Sequence, residues 1–153
     1  MLYSLISPAK RQNHSVLCPM QITSQPHFKS EIKSLVRLLQ QYSIQDLADM
    51  MSISEALATL NHTRFSTFED KFTEKNSYPA AFLFQGDVYQ GLNVGTWSED
   101  DCIWAQDHLG ILSGLYGWLR PLDLIQSYRL EMKTRLRIYP NKDRTIKDDG
   151  VSI

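Results

Sequence analysis

Residues 110–132, GILSGLYGWLRPLDLIQSYRLEM, set Gly114 and Gly117 inside an apolar and aromatic run, then add Arg120, Pro121, Asp123, Arg129 and Glu131. Two glycines so close together mark a chain reversal, and a proline is accommodated in a helix only near its first turn. Cys102, Ala105, Leu109 and Leu112 recur at helical spacing before the glycines. The stretch therefore reads as helix, glycine hairpin, and a second helix over 118–125. Charges beside buried-type aromatics then have two explanations. In one, successive backbone N–H groups of the hairpin and a helix N-terminus form an anion-binding concavity, with Arg120 adding a bidentate grip. In the other, Gly114 is a helix C-terminal cap, Arg120 pairs with Asp123 at i, i+3, and Arg129 pairs with Glu131 or Asp123.

The rest of the chain supplies a scaffold for this element. Leu2–Ile6 reads as an opening strand stopped by Ser7-Pro8, which leaves Lys10 just beyond its C-terminal end, where ligand-contacting loops often lie. Residues 11–27 form a long loop interrupted by Pro19 and Pro26. Phe28, Ile32, Leu35, Val36 and Leu39 predict a helix over 28–42. Ser43-Ile44-Gln45-Asp46 has the look of a capping start for a short helix, and Ser52–Glu55 has capping-box spacing for the next. Ala81–Gln85 reads as a buried strand, followed by a helical turn over 88–92. Ser98 and the acidic residues after it start the helix that carries Cys102. The fold class is α+β: a helix-rich mixed domain with a short sheet and a helix-hairpin-helix-like element.

Composition narrows the function classes. The 153 residues are 42% hydrophobic and 22% charged, which suits one globular domain. No apolar run is long enough to cross a bilayer and no secretory signal is evident, so a cytoplasmic protein without a membrane segment is expected. Cys18 and Cys102 have no C-x-x-C partner and read as small hydrophobes. His14, His27, His62 and His108 lack metal-ligand spacing, so no metal site is expected. The net charge of −1 conceals an asymmetry. Up to Leu119 there are 8 Lys and Arg against 12 Asp and Glu, whereas from Arg120 onward there are 8 against 5. A basic C-terminal third of this kind either meets phosphate or is a solvated face balancing an acidic one.

The motifs LISPAK at 5–10, FQGDVYQGL at 84–92, WSEDD at 97–101 and LSGLYGWLRPLDLIQSYRLEM at 112–132 together resemble the YaaA peroxide-stress protein family of bacteria. The resemblance covers residues 1–139, the N-terminal part of a YaaA-like domain, with 140–153 a divergent tail. It implies an oxidative stress response protein of the cytoplasm, linked to limiting intracellular free iron, that binds double-stranded DNA through a helix-hairpin-helix element. It implies no established reaction, catalytic residue or cofactor. Family members are longer, so the chain reads as a shortened, incomplete copy whose sheet edges at Leu2–Ile6 and Ala81–Gln85 would be exposed and aggregation-prone. Lys133 stands where the family commonly has glycine.

Two uses of these residues follow. In the first, Lys10, Gly114, Tyr116, Gly117, Arg120, Arg129 and Lys133 contact DNA phosphates without reading sequence. In the second, Asp87, Asp123 and Glu131 line a pocket for a phosphorylated or nucleotide-like substrate, one carboxylate acting as general base. A scaffold role, in which the basic third docks a protein partner of unspecified kind, is a third.

Overall fold

The computed structural model describes residues 1–136 and 151–152. In chain order the elements are β1 (Ser4–Ile6), β2 (Arg11–Gln12), α1 (Lys29–Leu39), α2 (Ile44–Met51), α3 (Glu55–Ser66) and β3 (Tyr78–Pro79). Next come α4 (Ala80–Leu83), β4 (Phe84–Gln85), α5 (Asp87–Leu92), a 3₁₀ turn (Val94–Thr96) and α6 (Glu99–His108). The final elements are β5 (Leu109–Ser113), β6 (Gly117–Leu119), β7 (Leu124–Ile125), β8 (Arg135–Leu136) and β9 (Val151–Ser152). This is a mixed α and β protein with small sheets.

Helix α1 buries Ile32, Val36 and Leu39, the apolar stripe its spacing predicts. Ser43 caps α2 through a reciprocal capping box with Asp46, and Ser98 does the same for α6 with Asp101. The cap of α3 falls two residues later than expected. Ser54 accepts from the Leu57 N–H, while Ser52 takes a left-handed conformation that ends α2.

The main sheet has the order β1-β5-β6. Strand β1 lies parallel to β5 with Ser4 opposite Leu109, and β6 returns antiparallel with Leu119 opposite Ile111. Among the described residues, three two-stranded antiparallel pairs, β2 with β4, β3 with β7 and β8 with β9, make up the other strands. Phe65, Phe82, Phe84, Ile111, Leu115, Tyr116 and Leu119 form a shared core between sheet and helices.

Residues 102–125 depart most from expectation. The helix expected to run through Leu112 ends at His108, because Leu109–Ile111 pair with β1 instead. Ser113–Gly117 then turns a β-hairpin, so the helix-hairpin-helix element mapped here is not formed. Gly117 sits at φ +73°, a left-handed position suited to glycine. The second helix is absent as well: Asp123 accepts the Arg120 N–H and the Asp123 N–H reaches the Arg120 carbonyl, which closes a turn before β7. Ala81–Gln85 is likewise mostly helical, since α4 occupies Ala80–Leu83 and only Phe84–Gln85 is extended. A short run buried on all sides carries no periodicity to tell the two apart. Its amides are claimed by the neighbouring turn, Ala80 N–H donating to the Asp123 carbonyl and Ala81 N–H to that of Pro121.

Trp97 packs edge-on against Phe82 in the core. Trp104 is 63% exposed and stacks on His108, and Trp118 is half-buried with its Nε1–H donated to the Tyr3 hydroxyl. No helix among the described residues is long and apolar enough to cross a membrane.

Candidate functional site

After β1 the proline at position 8 stops the strand, and the turn that follows brings Lys10 to one wall of a cleft of about 410 Å³. The opposite wall is the segment 128–133, which turns at 132–133. Three cations converge there on one carboxylate. Lys10 Nζ lies 3.3 Å and Arg129 Nη2 3.5 Å from Glu131 Oε1, and Lys133 Nζ lies 3.5 Å from Oε2. These pairs are longer than the 2.9 Å of Arg120 with Asp123 or the 2.6 Å of Lys33 with Asp70. One carboxylate shared three ways leaves donors over. The Arg129 Nε is buried without an acceptor, and the four side chains carry a formal charge of +2. Burial pushes the Glu131 carboxyl up, but hydrogen bonds and charge from Lys10 and Lys133 outweigh it and hold the group below the ordinary carboxylate range.

Several contacts fix the 128–133 wall. Gln12 donates from Nε2 to the Tyr128 carbonyl at 2.8 Å and accepts the Tyr128 N–H at 2.9 Å, tying β2 to the wall across 116 positions of sequence. The Tyr128 hydroxyl meets Ser113 Oγ at 2.6 Å in the interior, where burial raises its pKa. Gly114 presses against the same wall. A Cβ at this position would overlap the Leu130 carbonyl oxygen and reach 3.1 Å from the Glu131 carbonyl carbon. The hairpin glycine thus lets two backbones touch directly behind the charged residues.

The structure distributes the expected site residues unevenly. Lys10, Arg129, Lys133 and Glu131 come together. Tyr116 is fully buried, its hydroxyl donating to the Gln126 carbonyl and accepting the Gln126 N–H. The hairpin N–H groups of Leu115 and Tyr116 both donate to Ser113 Oγ, so they do not form the outward anion cradle. Gly117 is exposed at the turn against Phe28. Arg120 is engaged with the fully buried Asp123, which also accepts Ser24 Oγ at 2.6 Å, so this pair bolts the 11–27 loop to the 120–124 turn. The pairings of Arg120 with Asp123 and of Arg129 with Glu131 are those the spacing allowed. Asp87 lines a neighbouring cleft of about 340 Å³ that shares Pro8, Ala9 and Lys10 with the first, and Asp123 is fully buried in the 120–124 turn.

Cys102 is buried and its thiol is pushed up to about 11, by burial first and then by Cys18, Asp101 and Glu99. Gln12, Ser113 and Tyr128 were not singled out by sequence. Their contacts join segments far apart along the chain, and no local pattern announces them.

The fold and the cleft define a mixed α and β protein with a convergent cationic site. The profile of the family described as Peroxide stress protein YaaA matches residues 1–148. Among curated proteins the chain is 48% identical over 136 residues to a UPF0246 protein of Legionella pneumophila strain Philadelphia 1, covering 88% of this chain and 53% of the relative. It is 45% identical over 139 residues to one from Janthinobacterium sp. strain Marseille, covering 91% and 54%. A UPF0246 protein of Bordetella petrii is 47% identical over 132 residues, covering 86% and 52%. The chain belongs to the YaaA peroxide stress protein family. It spans about half the length of the curated relatives it matches.

Proposed function

We propose that this chain is a phosphate-contacting part of a peroxide-stress protein that binds double-stranded DNA. The observation that carries the reading is the convergence of Lys10, Arg129 and Lys133 on a single carboxylate, with the buried Arg129 Nε left unpaired. Cations held by backbone contacts behind them supply sequence-independent affinity. On this reading the role in peroxide stress, with the limitation of free iron that the resemblance implies, is exerted at nucleic acid. Arg120 drops out of the contact set because Asp123 holds it. The second reading, an enzyme that uses Asp87, Asp123 and Glu131, has less support, since Asp123 is fully buried and bonded to Arg120 and Ser24.

A Lys10→Ala, Lys133→Ala double variant tests the proposal. Both side chains are well exposed, at 64% and 84%, so the fold should survive their loss. Fluorescence anisotropy with a labelled duplex should show binding weakened about tenfold or more, the scale of two phosphate contacts. Unchanged affinity in a folded double variant would remove the cleft from the interface.

A further inference from the structure

We infer that the cleft takes a terminal phosphate monoester in preference to an internal backbone diester, an inference that rests on the nucleic-acid reading above. Three features of the site point this way. The first is charge: Lys10, Arg129 and Lys133 against Glu131 leave +2. A phosphate monoester carries about −1.5 to −2 at neutral pH and three acceptor oxygens, whereas a diester carries one charge and two free oxygens. The cleft balances the monoester.

The second feature is spacing. A duplex presents one charge about every 3.4 Å along each strand, so a surface that tracks the backbone spreads its cations along a line. Here all three cations lie within 3.5 Å of one carboxylate group, an arrangement that addresses a point. The third is unused donor capacity at that point. The Arg129 guanidinium side chain is only 18% exposed, its Nη2 makes a long 3.5 Å contact, and its buried Nε has no acceptor. The ammonium protons of Lys10 and Lys133 that Glu131 does not take, with Arg129 Nη2, can satisfy the extra oxygen of a monoester by charge-assisted hydrogen bonds. A cleft of about 410 Å³, walled by Ala9 and Lys10 on one side and by 128–133 on the other, admits a phosphate with the sugar that carries it.

The experiment compares duplexes identical in sequence and length that end in phosphate or in hydroxyl, by anisotropy at one salt concentration, with nucleoside monophosphates and nucleosides in a parallel thermal-shift arm. The expected result is affinity about tenfold or more higher for the phosphorylated ends, the scale of one charge-assisted hydrogen bond. The preference should be lost in Arg129→Lys. It should shrink in Lys133→Ala, a substitution at an exposed side chain that the fold does not need. Equal affinity for both duplexes, with steep salt dependence, overturns the monoester inference and leaves the DNA reading standing. Stabilisation by nucleoside monophosphates but not nucleosides, without binding of either duplex, supports the monoester site and overturns the DNA reading alone. No response in either arm overturns both.

Discussion

Gly114 shows how one residue serves the site without touching a ligand. Because a side chain there would meet the backbone of Leu130 and Glu131, which cannot rotate away, Gly114→Ala must move the charged wall or the hairpin. We expect a loss of stability of about 2 kcal/mol or more, the upper range for overpacking, measured by urea denaturation. Glu131 gives a pH signature at the same scale. Its folded-state pKa lies below the ordinary 4.5, so its contribution is present above that value and is lost as pH falls through the folded pKa. Denaturation midpoints measured from pH 7 down to about 3 should therefore fall more steeply for the natural chain than for Glu131→Gln. Matching slopes would mean that Lys10 and Lys133 do not favour the ionised carboxylate. The pairing of Arg120 with Asp123 was legible from i, i+3 spacing, although only the structure shows that a turn, and not a helix, brings them together. The Gln12 to Tyr128 bonds were not legible, since nothing local distinguishes a glutamine that will reach across 116 positions.

At the scale of elements, helices with their own caps could be read and strands that depend on distant partners could not. Ser43 and Ser98 announce α2 and α6 because a capping box is a contact between neighbours in sequence. Replacing Ser43 with Ala should cost about 1 kcal/mol, the usual value of a lost N-cap, seen as a lower denaturation midpoint with unchanged m-value. The 109–119 hairpin is hidden from sequence for the opposite reason. Leu109 and Leu112 fit a helical stripe as well as they fit a strand, and the choice is made by β1, more than a hundred residues earlier, offering its edge to Leu109–Ile111. Four candidate residues of the cleft, Lys10, Arg129, Glu131 and Lys133, could be named from sequence. That they meet depends on Gly114 packing behind the wall, a tertiary contact with no signature along the chain.

For the molecule as a whole, the chain covers about half the length of its curated relatives, and β1 stands at the edge of the main sheet with Leu2 80% and Leu5 58% exposed. Such an edge is prone to pairing with another chain. Sedimentation of the 153-residue chain should show self-association that a Leu2→Lys, Leu5→Lys variant reduces, and a monodisperse natural chain would count against the expectation. Ala81–Gln85, the other edge anticipated from sequence, is instead buried or half-buried beneath the 121–123 turn. If the convergent cations contact phosphate, duplex affinity must depend on salt through them. Plotting log affinity against log salt should give a negative slope that becomes shallower by about 0.9 for each contacting cation removed among Lys10, Arg129 and Lys133. A flat line for the natural chain, or a slope untouched by these substitutions in folded variants, would contradict it.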